Sequence, residues 1–367
     1  MKAILLTGGR GTRLRPLTHT NNKHCLPIAN KPLIMYPFMN IVDSGIKEIG
    51  VVVNETRDEI EKILGDGSKW GVKITYIFQD EPKGLAHALS LGEKFIGKDD
   101  FVMVLGDNML QGDLKEYISK FDTKKFSGFI LGRLVPVKDH KRFGMATLNE
   151  SGEVVRYVEK PGVVDMSDLY DPNNSFAVAG FYFFTHEVFK CFTGKDKIKP
   201  SPRGELEIAS PFNWLIGHGY KVGLSHVDGW WKDPGNPEDM FAANKLVLSW
   251  KDDFRVEGQL NDTTIEDDIE IMEGTLVTKS KLRGPVSIGK NVKITNSYIG
   301  PYTSIGDNCV LENVQIENSI LMENCHIQNV STRLDACLIG HNTQVTESSE
   351  YPRASSLIIG DDAKVTL

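Results

Sequence analysis

Five windows in the last third of the chain share one template: IGKNVKI from Ile288, IGPYTSI from Ile299, IGDNCVL from Ile305, IGHNTQV from Ile339 and IGDDAKV from Ile359. Each opens on Ile-Gly, puts a small or β-branched residue four positions after the isoleucine and an aliphatic one six positions after it. The stretch VLENVQIENSILMENCHI between them keeps a similar cadence. A six-residue step with aliphatics turned inward is the pattern of a β-solenoid, where each side of a triangular coil uses one hexapeptide and stacking buries a continuous core. Strands of a sandwich have no reason to repeat at six residues. Asn and Asp at the intervening positions suit tight corners.

The pattern resembles the left-handed hexapeptide β-helix, and it places such a domain over residues 251–367, entered through the helical stretch NPEDMFAANKLVLSW. A solenoid of this kind can carry acyltransferase sites or serve as a stacking and assembly module. His326 and His341 are its two histidines, and either could act as a general base. A stack of about five coils without a long extruded loop weighs against acyl transfer. A homo-oligomer is the expected assembly.

Residues 1–250 follow another grammar. The β-rich runs AILLT, EIGVVV, VKITYIF, DFVMVLG, GFILGRL, FAVAGFYFF and YKVGLSHV alternate with amphipathic segments such as RDEIEKILGDG and KGLAHALSLGEKFIG. Strands apolar on both faces, alternating with helices, predict an α/β domain with a largely parallel sheet covered on both sides. Ligands of such sheets bind at the carboxyl ends of the strands. The first of those ends is LLTGGRGTRLRPLT, where a buried strand runs into a glycine-rich turn. It matches neither GxGxxG, since Leu14 stands where the third glycine would be, nor GxxxxGK[ST]. What remains is a loop whose backbone N–H groups can converge on an anion. Charge agrees: the net charge is −7, yet no Asp or Glu occurs before Asp43, while Lys2, Arg10, Arg13, Arg15, Lys23 and Lys31 all do. A basic segment in an acidic protein suits a small polyanion and argues against a nucleic-acid or anionic-membrane binder. Five scattered cysteines without CxxC spacing indicate a reducing compartment. With no signal-like start and no membrane-length apolar run, the expected location is cytoplasmic.

GGRGTRLRPLT followed by NKHCLPIANKPLIMYP resembles the signature of the sugar nucleotidyltransferases, GGxGTRLxPLT with a lysine before LP and NKP. It is closest to glucose-1-phosphate thymidylyltransferases of the long form with a C-terminal hexapeptide-repeat domain. Arg10 at the variable position and Thr7, where alanine is common, are the departures. The resemblance extends to about residue 240 and implies a Rossmann-like, mixed but mostly parallel sheet. It implies nucleotide contacts at Leu6, Gly8, Gly9, Gly11, Thr12 and Arg13, and catalytic charge at Arg13 and Lys23. QDEPKGLAHA resembles the base-reading segment, which assigns Gln79 and Gly84 to the base. A glutamine amide offers the donor and acceptor that thymine or uracil requires. LGDN and WKDPG supply Asp107 and Asp233 as magnesium ligands, and a hard ion of this kind takes one or two carboxylates plus phosphate oxygens.

On the sugar-phosphate side the resemblance implies contacts at Asn108, Gly144 of RFGMA, Glu159 and Lys160 of YVEKPG, Val178, and Arg203 of RGELEI. Phe143 stands where tyrosine is common, and Ile208-Ala209-Ser210 replaces the usual ITD. The reaction implied is magnesium-dependent transfer of a nucleotidyl group from dTTP or UTP to glucose-1-phosphate, with release of pyrophosphate. Two alternatives stay open: a pyrophosphorylase of the UDP-N-acetylglucosamine type with an acyltransferase solenoid, and a non-catalytic regulatory member of the family. Retention of Arg13, Lys23, Asp107 and Asp233 speaks against the second.

Overall fold

The computed structural model describes residues 1–9, 11–161, 171, 174–347 and 361–365; Arg10 and the opening Ile359-Gly360 of the last repeat window lie outside the described residues. The chain forms two compact units that are not divided at one point in the sequence. One comprises Met1–Gly9 with Ile34–Asp233, the other Arg10–Leu33 with Pro234–Leu367.

The first unit is built on a nine-stranded sheet. Its strands are β1 (Lys2–Leu6), β2 (Glu48–Val53), β3 (Lys73–Phe78), β4 (Phe101–Leu105), β5 (Gly128–Arg133), β6 (Gly144–Leu148), β7 (Val154–Glu159), β8 (Ser175–Phe184) and β9 (Val222–His226). The order is β7-β6-β8-β4-β1-β2-β3, with β5 also on β8 and β9 on β5. β4, β1, β2 and β3 are mutually parallel. β8 runs against β4, β5 and β6, and β7 runs against β6, so only β7 and β8 oppose the rest. The sheet is therefore mixed and mostly parallel. All ten residues of β8 are buried, and a strand apolar on both faces reads alike in either direction. That is why its sense was not legible in the sequence. The sequence pattern marks neither β6 nor β7 as a strand.

The helices follow local rules. Arg57–Leu64 has Asp58 and Glu59 in its first turn and Lys62 in its last, matching the helix dipole, and it buries Ile60 and Leu64 four residues apart. From β1 the chain steps outward through β2 and β3, then returns to the other side of β1 as β4. The carboxyl ends of β1 and β4 thus flank a topological switch point, the position where open α/β sheets bind ligands.

In the second unit the strands from Gln259 onward form three parallel sheets of six, five and five strands. They open at residues 259, 264, 269 and 276, so the steps are five, five and seven rather than a uniform six. Equivalent residues lie 17 apart over most of the stack, as in Ser287 on Glu270 and Asn296 on Asn313. The Ile-Gly-x-Asn windows mark the longer corner, and Ile288, Ile305, Leu321 and Ile339 stack in one column. Ile299 belongs to another column, between Leu282 and Ile316. Corner residues such as Asn291, Asn296, Asn308, Asn313, Asn329 and Asn342 are left-handed, the conformation asparagine tolerates best after glycine. Val277, Ile294, Leu311 and Ile327 are fully buried inside. These parallel strands fit a β-helix.

Candidate active site

The sheet positions the first group of candidates by running several strands out at one edge. Leu6, at the end of β1, is buried, and Gly8 follows it. Thr7 is held by its hydroxyl, which donates to the Val52 carbonyl at 2.7 Å. Gln79 leaves the end of β3 with its N–H on the Val53 carbonyl at 2.8 Å. Its side chain is 6% exposed. The Nε2 atom lies 3.1 Å from Nδ1 of His87, and a Cβ on Gly8 would come within 3.1 Å of Oε1. One N–H satisfied by His87 leaves the amide with the donor and acceptor pattern a pyrimidine edge needs.

Gly84 has φ +104° and caps the helix Leu85–Leu91; a Cβ there would sit 2.4 Å from the Leu206 carbonyl oxygen. The Leu206 N–H donates to Lys83 O at 2.7 Å, and its carbonyl accepts from Ala86 at 2.9 Å. Close backbone packing against the RGELEI segment therefore already demands a glycine at this position.

The second group gathers where β4 ends. Trp231–Lys232 pairs antiparallel with Met109–Leu110, Lys232 opposite Met109. The pairing ends there, with Asp233 and Asn108 the next residues along the two chains. The Asn108 amide links the parts: its Nδ2 donates to Asp107 Oδ1 at 2.9 Å, and its Oδ1 accepts from the Trp231 indole at 2.8 Å. β8 bulges between Val178 and Tyr182, and a Cβ on Gly180 within that bulge would meet the Asn108 amide at 2.7 Å. Val178, 6% exposed, pairs with Gly132. Tyr182 is buried, and burial, the Glu159 carboxylate, then Asp107 and Asp233 all push its hydroxyl far above the usual phenol range. Its hydroxyl therefore stays protonated and neutral.

Gly144 begins β6, where a Cβ would lie 2.6 Å from Tyr157 Cε2 and hydroxyl and 2.8 Å from Glu159 Oε2. Burial raises the Glu159 pKa, with Lys160 and Arg203 opposing. Arg203 donates from Nη2 to the Glu159 carbonyl at 3.3 Å and from Nε to Glu207 at 3.0 Å. Lys160 is left-handed and exposed, its N–H on Phe143 O at 3.1 Å. Phe143 packs its ring 5.1 Å from that of Trp231. Ile208 and Ala209, the departure from ITD, are buried at the start of the helix Ala209–Gly217. Sequence reasoning missed Tyr182, Tyr157, Trp231 and His87. The alternation within FYFF and WWK could have raised the first and third only as core residues.

The signature is split: Gly8 and Gly9 belong to the first unit, and the part from Gly11 onward belongs to the second. Gly11 is left-handed at φ +59° and caps the turn Thr12–Leu14; a Cβ on it would meet Thr18 Cγ2 at 2.9 Å and Lys23 Cβ at 3.0 Å. Thr18 donates to the Gly11 carbonyl at 2.8 Å, closing the loop on itself. The exposed Arg13 lays its guanidinium on Gly235, where a Cβ would come within 2.5 Å of Nη2. Lys23 is 5% exposed on the turn Lys23–Cys25, which Asn22 caps by accepting from His24 N. Burial and the capped turn hold the Lys23 side chain in place. Arg10 lies outside the described residues. In the repeat stack, His326 is exposed and His341 is half-buried, and all five cysteines are free thiols. Among the described residues no helix is long and apolar enough to cross a membrane.

Comparison with known proteins adds the following. The nucleotidyl transferase family model matches residues 2–249, and the model described as GMPPB C-terminal domain matches residues 282–366. A glucose-1-phosphate thymidylyltransferase of Streptomyces antibioticus is 40% identical over all of this chain and 99% of its own. The low-salt glycan biosynthesis nucleotidyltransferase Agl11 of Haloferax volcanii is 39% identical over the full length of both chains. Among solved structures, one described as a putative glucose-1-phosphate thymidylyltransferase from Bacillus anthracis in complex with a sucrose superposes with a TM-score of 0.60 at 33% identity. It covers 70% of this chain and 98% of the other.

Proposed function

Because the chain belongs to the nucleotidyl transferase family, we propose a specific division of labour among the residues described above. The enzyme transfers a nucleotidyl group to glucose-1-phosphate, and dTTP is the proposed donor. Full-length relatives at 38% and 40% identity carry the thymidylyltransferase name. A UTP–glucose-1-phosphate uridylyltransferase, AglF of Haloferax volcanii, is 34% identical over 67% of the chain and makes UTP the second reading.

An oxygen of the sugar phosphate attacks the α-phosphorus in line. The new P–O bond forms as the bond to the β-phosphate oxygen breaks, and pyrophosphate leaves with the electron pair. No enzyme nucleophile is needed, so the protein's task is to place two polyanions and offset their repulsion. Arg13 and the fixed Lys23 supply positive charge to the triphosphate. Gln79, steadied by His87, reads the pyrimidine edge. Glu159 accepts from sugar hydroxyls, Gly144 and Val178 shape the sugar wall, and Lys160 and Arg203 meet the sugar phosphate.

Asp107 and Asp233, which flank the paired segments Met109–Leu110 and Trp231–Lys232, would suit a hard divalent cation that shares its remaining sites with phosphate oxygens and water. Bound magnesium would neutralise phosphate charge and orient the reacting groups. Asn108 keeps the Asp107 carboxylate aligned. The repeat unit is proposed to be left-handed and to serve as a structural module.

The observation that carries this reading is the Asn108 amide, which holds Asp107 and the Trp231 indole together two residues before Asp233, within a unit that matches the family. A pyrophosphate-release assay over dTTP, UTP, ATP and GTP against glucose-1-phosphate and glucosamine-1-phosphate tests it. The expected optimum is dTTP with glucose-1-phosphate. A purine optimum, or no release with any pair, would overturn the reading.

A further inference from the structure

The segment Pro27–Ile28, Ala29, Asn30, Lys31–Pro32 is a tight hairpin, Ile28 opposite Lys31, and both tip residues are left-handed, Ala29 at φ +46° and Asn30 at φ +59°. This suits a two-residue turn with both central residues at positive φ, which asparagine tolerates and alanine does not. A non-glycine residue there is strained and persists only where surrounding structure holds it. The hairpin follows directly from the Lys23 turn, with Leu26 N on Lys23 O at 3.2 Å and Leu33 N on Leu26 O at 2.9 Å.

The restraint comes from the repeat stack. Asn244 lies in the otherwise apolar buried stripe Met240, Ala243 and Leu248 of the helix Pro237–Trp250 and is 1% exposed. Its Oδ1 accepts from Ala29 N at 2.8 Å and from Ser304 Oγ at 2.7 Å, and its Nδ2 donates to Tyr302 O at 2.9 Å. The Asn30 amide in turn donates to Ser287 O at 3.1 Å, Ser287 Oγ at 3.0 Å and Ile305 O at 3.0 Å. Its Oδ1 is buried without a hydrogen-bond partner among the described residues, a penalty the arrangement tolerates. Two asparagines thus tie the strained tip to two consecutive parallel strands, Val286–Ile288 and Thr303–Ile305.

We propose that Asn244 and Asn30 are positioning residues through which the repeat stack fixes the hairpin and, through it, the Lys23 ammonium. The stack then serves nucleotidyl transfer as a rigid mount rather than as a second catalytic domain. The inference rests on the role of Lys23 given above. A charge that must meet the transition state loses effect when displaced: a shift of about 1 Å costs roughly a hundredfold in rate.

The test uses the full chain with Asn30→Gly, which keeps the turn and deletes the amide, and Asn244→Ala. Asn313→Gly, on the exposed corner ladder, is the matched control. Pyrophosphate release should show kcat lowered about tenfold or more in the first two, KM for both substrates changing by less than about threefold, and the control unchanged. Ala29→Gly added to Asn244→Ala removes the strain and should restore part of kcat. Unchanged kcat in both single variants would overturn the proposal, as would KM rising in step with the fall in kcat.

Hydrogen exchange separates this proposal from the functional reading. Residues 26–33 should be protected in the parent and exchange faster in both variants, while 310–328, which bond neither asparagine, do not change. If the parent transfers no nucleotide, the functional reading fails and exchange alone decides. Equal protection of 26–33 in parent and variants would then overturn the clamp.

Discussion

Gly144→Ala adds one carbon at the proposed sugar wall. The new Cβ would lie 2.6 Å from Tyr157 Cε2 and 2.8 Å from Glu159 Oε2, where carbon contacts are comfortable at about 3.5–4.0 Å. Something must move by close to an ångström. Tyr157 resists: it is 2% exposed, packs 5.7 Å from the Phe212 ring, and both its backbone groups are held by the Asn213 amide at 3.0 and 2.7 Å. The backbone at Gly144 must therefore shift away from the ring, and Glu159, its partner across the strand pair, shifts with it and leaves the place where it accepts from a sugar hydroxyl. A hydrogen bond to a charged group contributes about 1.5–3 kcal/mol, which at about 1.4 kcal/mol per factor of ten is a roughly 10- to 150-fold rise in KM for glucose-1-phosphate. Residual overpacking should lower stability by about 1–3 kcal/mol. Initial rates varying each substrate at saturation of the other separate the two effects, and KM for dTTP should hold. Gly217→Ala, with nothing within 4 Å, is the control for an added methyl. An unaltered KM for glucose-1-phosphate would refute the placement of the sugar against Gly144 and Glu159.

Glu159→Gln should stabilise the substrate-free protein at neutral pH while weakening sugar-phosphate binding. Burial raises the carboxyl above its ordinary 4.5, so the folded state binds the proton more tightly, and this group's support for folding fades as pH rises through the raised value. The thermal advantage of the variant should shrink as pH falls toward 4.5, and an advantage independent of pH would contradict the assignment. Trp231→Phe removes the donor to buried Asn108, which should cost about 1–3 kcal/mol by urea unfolding and lower kcat; an unchanged midpoint would exclude that role. Asp233→Asn should shift the magnesium titration of activity to higher concentration, and a superimposable titration would remove it from the metal site.

The sequence carried the strand ends and the signature loop because each departs from what a bare scaffold needs: three glycines beside TRLRP, an LGDN after an apolar run. It did not carry the antiparallel sense of β8, since burial on both faces hides direction. Nor could it show that Gly84 answers to Leu206, a contact across more than a hundred residues of chain. The Ile-Gly windows made the repeat visible but overstated its regularity, because Ile299 copies the motif at a different corner. Asn30 and Asn244 were unreadable as partners, being ordinary polar residues until the fold joins them.

The central claim is a single in-line displacement at the α-phosphorus with no covalent nucleotidyl-enzyme. One diastereomer of dTTP bearing sulfur at the α-phosphorus, turned over with glucose-1-phosphate, tests it through the configuration of the sugar-nucleotide product. Inversion is the expected result. Retention would mean two displacements and an enzyme nucleophile, and would contradict the account.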